Sequence, residues 1–199
     1  MTAAISRLLP LAAAVAALAA VPAQAMASCK GANGSPTGPR AATATLCLIN
    51  AQRTAHGLRK VKAEPHLAAA AGAFAQDMVA RQFFDHTSPD GGTMLDRLRS
   101  AGWLPGSGSW SAGENIAWGT GSHATPASIV SGWMASPGHR ANILQPAFRQ
   151  IGVGIAAGVP VDGTGPGGAT FVADFGARSA TSGSAARSTA PVFQLRTRG

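Results

Sequence analysis

The sequence predicts an α+β layered domain, and three observations lead to that class. Within residues 42–176, apolar residues first recur at helical spacing and then, near residues 151 and 171, alternate with period two. The core is modest. Hydrophobic residues make up 46% of the 199, yet 43 residues are alanine, so the larger apolar side chains suffice for one domain rather than two. Charged residues are only 12%, too few for a long solvated helix or a coiled coil.

Residues 1–25 read as a secretory signal peptide, with Arg7 in the n-region, Leu8 to Ala20 as the h-region and Ala23-Gln24-Ala25 as a small-x-small cleavage site. The run is too short to span a membrane, and no later stretch approaches the ~18 apolar residues a spanning helix needs. Residues 26–41 are rich in Gly and Pro and read as a linker. In an exported chain, Cys29 and Cys47 pair more readily as a disulfide than they serve as metal ligands or a nucleophile. Such a bridge pins the linker to the domain and stabilises it by ~3 kcal/mol in the chain-entropy picture. Lipid attachment at Cys29 is disfavoured, because the h-region ends well upstream of it.

Ala42, Leu46 and Ile49 start a helix that stops at Gly57. Pro65 opens a second, whose inner face carries Leu67, Ala70, Ala71, Phe74 and Met78. Thr93-Met94-Leu95-Asp96 is a capping-box pattern that starts a third, ended by Gly102. A fourth opens at Thr125-Pro126, buries Ile129, Val130, Trp133 and Met134, and stops at Pro137. Two strands follow, with Ile151, Val153 and Ile155 alternating with Gly152 and Gly154, and Phe171, Ala173 and Phe175 alternating with Val172 and Asp174. The glycine face invites another layer to approach closely. Residues 158–168 join the strands as a loop, and 177–199 read as a flexible basic tail.

Titratable side chains stand in three segments: Phe84-Asp85-His86-Thr87-Ser88-Pro89-Asp90-Gly91, Ala112-Gly113-Glu114-Asn115-Ile116-Ala117-Trp118-Gly119 and Ser136-Pro137-Gly138-His139-Arg140-Ala141-Asn142-Ile143-Leu144. Two histidines and a glutamate from separate segments can converge as a metal or acid–base site, although their spacing matches no local zinc motif. Asp174-Phe175-Gly176 lacks the partner motifs of a kinase, and Gly152-x-Gly154 lacks the third glycine of a dinucleotide site. Ser88 and Ser136 have no G-x-S-x-G setting. His56, His66 and His123 read as surface or cap residues, and the four tryptophans as core and cleft walls, with Trp110 and Trp118 flanking Glu114.

In order, Leu48 through Arg53, His86 through Gly91, Gly113 through Ala117, Trp133 through Leu144, Ile151 through Gly154 and Asp174-Phe175-Gly176 resemble the bacterial secreted branch of the CAP superfamily, the cysteine-rich secretory, antigen 5 and pathogenesis-related proteins, also called SCP-like. The resemblance covers about 42–176 and implies a three-layer α-β-α sandwich with a small antiparallel sheet. It also implies a cleft formed by His86, Glu114 and His139. Ser136 occupies the position at which a full tetrad carries its second glutamate. The leading expectation is a non-enzymatic secreted or cell-envelope module, monomeric, that binds a small apolar ligand, a divalent ion or a protein partner. The alternative is a metal-assisted extracellular hydrolase acting on peptide or ester bonds, in which His86 and His139 hold zinc or magnesium and Glu114 is the catalytic base. A purely structural network of the three residues is the reading without chemistry.

Net charge is +8 with a pI near 11.3, which suggests an anionic partner. Yet residues 42–176 hold nine basic and eight acidic residues and are nearly neutral. The excess lies in the flanks, so no nucleic-acid partner is expected. Attachment of the tail to anionic envelope polymers is a third expectation.

Overall fold

The computed structural model describes residues 28–161 and 168–179. The signal segment and most of the tail lie outside the described residues. Among the described residues, five α-helices, α1 (Pro39–Ala55), α2 (Pro65–Arg81), α3 (Met94–Ser100), α4 (Pro126–Ala135) and α5 (Pro137–Ile143), accompany four strands, β1 (Lys62–Ala63), β2 (Trp110–Thr120), β3 (Gln150–Ala157) and β4 (Gly168–Arg178). A 3-10 turn at Gly121–Ala124 links β2 to α4.

Local chemistry sets the helix starts. The Glu64 carboxylate accepts a hydrogen bond from Leu67 N at 2.7 Å at the start of α2. Thr93 and Asp96 form the expected capping box on α3. Thr125 caps α4 through Ser128 N. Pro137, expected only to end α4, instead occupies the first turn of α5, where its missing N–H costs nothing. α4 ends at Ala135, and the extended backbone of Ser136 makes the corner. The first helix begins at Pro39, ahead of the expected Ala42, and β4 runs on through Ala177 and Arg178.

The sheet order is β1-β3-β4-β2, with β4 antiparallel to both long neighbours. The sheet is mixed rather than purely antiparallel, because the two-residue β1 pairs parallel with β3. On one face Leu48, Ile49, Val130, Trp133 and Ile143 pack against Ile151, Phe171, Ala173 and Phe175. On the other, α2 covers Ile116 and Val172 with Ala71, Phe74 and Met78. Leu98 of α3 and Trp103 complete that layer with Leu67 and Ala112. This is the expected α-β-α sandwich. The glycines of β3 fulfil their expected role: a Cβ on Gly152 would overlap the Leu67–Ala68 peptide of α2, and one on Gly154 the Ala71–Gly72 peptide.

Cys29 and Cys47 form a disulfide. Residues 28–38 are held onto the domain, with Cys29 and Ala32 buried and the Ala127 N–H donating to Ala32 O at 2.9 Å. A bonded Cys29 thiol is not available for lipid attachment. Arg53 is fully buried in the α1 layer with four backbone carbonyls as partners: Nε donates to Arg59 O, Nη1 to Ile143 O and Gln145 O, and Nη2 to Phe148 O.

Candidate functional site

Successive residues of a strand alternate between faces, so Ala112, Glu114 and Ile116 of β2 point toward α2 and α3. Glu114 is 3% exposed, and its two oxygens are both engaged. Oε1 accepts from His86 Nδ1 at 2.7 Å, and Oε2 accepts from Arg97 Nη2 at 2.7 Å. His86 is presented by the turn after α2, where Asp85 Oδ1 accepts from Thr87 N and the Ser88 N–H donates to Gly92 O. Because a carboxylate only accepts, the His86 Nδ1 carries the proton.

Arg97 holds this turn in place. Its Nη2 also donates to His86 O at 3.2 Å and its Nη1 to Gly92 O at 3.3 Å, while its guanidinium lies over the Phe74 ring at 3.3 Å from the centroid. The capping box that starts α3 therefore fixes the arginine that organises the histidine turn. Sequence reasoning alone does not find Arg97. The only local signal is its place on the polar side of a seven-residue helix, and that does not reveal a partner 17 residues away on β2.

Asp174 is the second residue missed. It lies directly opposite Glu114 in the β2–β4 ladder, and its side chain is completely buried. Neither of its oxygens receives a hydrogen bond from a described group, as an ionised carboxylate there would require. Burial pushes its pKa well above the ordinary carboxylate range, the neighbouring Glu114 charge raises it further, and Arg97 only partly opposes them. The shift favours a proton on Asp174, which can then donate to Glu114 and relieve the repulsion between the two carboxylates beside the guanidinium of Arg97.

His139 enters from the opposite side, on α5. Its carbonyl accepts from Asn115 Nδ2 at 3.0 Å, and Asn142 Nδ2 donates to Glu114 O and Asn115 Oδ1, so two asparagines tie α5 to β2. The imidazole is 8% exposed, and its Nε2 is buried with no hydrogen-bond partner among the described residues. Burial, followed by the nearby His86, lowers its pKa to about 4. His139 is therefore neutral at physiological pH. Its ring lines a cavity of ≈530 Å³ between β2 and α4, walled by Phe84, Ile116, Trp118, Ile129 and Trp133. Ser136 and His123 also line this cavity, and His123 is exposed, as expected from its loop. Trp110 instead packs beside the Leu67–Trp103 cluster, while His56 bonds Gln52 O and Arg140, and His66 bonds Ala101 O.

The expected trio is thus brought together in part. His86 and Glu114 are bonded, whereas His139 stands near His86 but faces the cavity. Among the described residues, no three His, Cys, Asp or Glu side chains group so as to hold a metal ion. Glu114 spends both oxygens on His86 and a guanidinium, so in this arrangement it is not itself placed to ligate a cation.

The chain belongs to the cysteine-rich secretory protein (CAP) family, whose model matches residues 46–173. YkwD of Bacillus subtilis (strain 168) is 43% identical over 107 residues, which are 54% of this chain and 39% of YkwD. The chain therefore spans well under half the length of that relative. A Bacillus anthracis (strain Ames) structure, described as an extracellular protein containing a SCP domain, is 27% identical with a TM-score of 0.55, over 70% of this chain and 44% of that one. An outer surface protein of Borrelia burgdorferi shares the fold at 20% identity and a TM-score of 0.55, covering 67% of this chain and 90% of that one. Among the described residues, no helix is long and apolar enough to cross a membrane.

Proposed function

We propose that the chain is an exported CAP-domain binding module, residues 42–176 with a linker and tail, whose cleft between β2 and α4 holds a small, mainly apolar ligand. One observation carries this reading: a cavity of ≈530 Å³, in the size range of ligand sites, has mainly aromatic and aliphatic walls, with His123, Ser128, Ser136 and His139 as its polar lining and no Asp, Glu, Lys or Arg among the residues that wall it. The charged groups beside it are occupied with one another. Glu114 is bound by His86 and Arg97, so in this arrangement it serves as the anchor of a positioning network rather than as a base. Export is supported by the signal-like residues 1–25 and by a disulfide, which persists in oxidising compartments.

The test uses N-phenyl-1-naphthylamine, a neutral apolar dye that brightens when it leaves water. Gly132 lines the cavity, and a Cβ placed there meets no atom within 4 Å, so Gly132→Phe sets a bulky ring on the cleft wall without a clash at its first carbon. Saturable dye binding by the wild type that is lost in Gly132→Phe, with unchanged circular dichroism, is expected. Absence of binding, or equal binding by both proteins, contradicts the reading.

A further inference from the structure

We infer that two copies of the chain join through the outer edge of β3, residues 153–157 running antiparallel to the same residues of the second copy about a twofold axis at Ile155. The sheet has β4 on one side of β3 and only the two residues of β1 on the other. Gly158 N donates to Gly168 O of β4, and Glu64 N, just past β1, donates to Ile151 O. Backbone groups alternate sides along an antiparallel strand, so the even residues of β3 bond β4 and the odd ones turn outward. The N–H and C=O groups of Val153, Ile155 and Ala157 therefore lie along an edge beyond the end of β1, and no described backbone group hydrogen-bonds them there.

The limits of this edge fit a copy of itself. β1 covers β3 as far as Ile151, and β3 ends at Ala157. Gly158, at a positive φ of 106°, breaks the strand, and Val159 O accepts from Gln82 Nε2 at the end of α2. With the axis at Ile155, Val153 lies opposite Ala157 of the second copy, and the incoming strand leaves the edge before it meets β1. Each such pair exchanges both of its backbone hydrogen bonds, and the interface is isologous. Residues 153–157 carry neither the charge nor the proline that usually guards a free edge against a second chain. No Asp, Glu, Lys or Arg occurs from Ile151 to Val161, so two copies of the strand meet without like-charge repulsion.

The layers beside the edge suit a second copy as well. α2 packs Phe74 and Met78 against Ile116 and Val172 and turns Ala70 and Asp77 into a groove shared with α3, so its opposite flank carries Ala68, Gly72 and Val79. Small side chains on that flank let α2 of the second copy come close. On the other face of the sheet Val153 and Ile155 are only partly buried and leave apolar surface for the copy to cover. The cleft beside β2 lies at the far side of the sheet and stays open.

Sedimentation equilibrium of the purified protein, from about 1 μM to 1 mM, is expected to show a monomer–dimer equilibrium in place of the monomer expected from the sequence. Ala157→Pro removes an outward N–H that bonds nothing in β4, and is expected to weaken the dimer about tenfold or more. Ile155→Lys and Ile155→Glu each set like charges face to face at the axis and are expected to be monomeric alone, whereas an equimolar mixture of the two forms a mixed dimer. Circular dichroism checks that each variant is folded. Should the charged variants fail to fold, the wild type and Ala157→Pro decide. A wild type that stays monomeric across the range, a dimer that Ala157→Pro leaves unchanged, or folded charged variants that each dimerise alone overturns the inference.

Discussion

Glu114 on β2 and Asp174 on β4 face each other across the middle of the sheet, both buried, with a single arginine, Arg97, to balance them. Two ionised carboxylates in this position would meet one guanidinium in a medium of low dielectric. Retaining a proton on Asp174 resolves the imbalance.

That proton makes stability depend on pH in a stated direction. The pKa of Asp174 is raised in the folded state by burial first and by Glu114 second. Its contribution is fully present below the unfolded value and is lost as pH rises through the folded one. Asp174→Asn keeps the shape and the neutral donor. Urea midpoints measured from pH 4 to pH 9 are expected to fall with rising pH more steeply in the wild type than in Asp174→Asn, and parallel curves count against the assignment.

His139 has the opposite sign. Its folded pKa of about 4 lies below the unfolded value of 6.5, so its contribution is present above 6.5 and is lost as pH falls toward 4. In NMR titrations the His139 ring signals are expected to stay constant from pH 8 to pH 5 and to move only below that. A midpoint near 6.5 contradicts the burial argument.

Much of the layer architecture is legible in the sequence, because burial writes itself into periodicity. Leu67, Ala70, Ala71, Phe74 and Met78 are spaced as one helical face, and all are buried. The capping box at Thr93 and the close approach at Gly152 and Gly154 are legible for the same local reason. Pro137 reads as a stop alone, because proline ends one helix and begins the next with equal ease. Arg97 and Asp174 escape because strand register and helix placement bring them to Glu114, and neither is a property of a short window. The one local sign of Asp174 is its alternation with Phe171, Ala173 and Phe175, which puts it on the face of the second layer.

Arg53 offers a sharp stability test. Its guanidinium donates to four carbonyls, and burial lowers its pKa. Lysine has the charge but not the planar fork. Arg53→Lys is expected to lose about 2–4 kcal/mol in urea denaturation, through unmade hydrogen bonds at buried carbonyls. A loss within ~0.5 kcal/mol would show that the knot contributes little.

Two glycines of the same interface separate crowding from helix propensity. Gly152→Ala forces α2 away from β3 and is expected to cost about 3 kcal/mol or more. Gly72→Ala, inside α2 with open space at its Cβ, is expected to gain up to ~1 kcal/mol. Thermal melts of both variants check the pair, and similar shifts in both contradict the packing account.

The cleft between β2 and α4, as a ligand site, is tested most directly by a crystal structure of the protein grown with N-phenyl-1-naphthylamine. The expected result is ring density in the cleft against Trp118 and Trp133. Density for the dye only elsewhere on the surface, with the cleft holding water alone, contradicts the account.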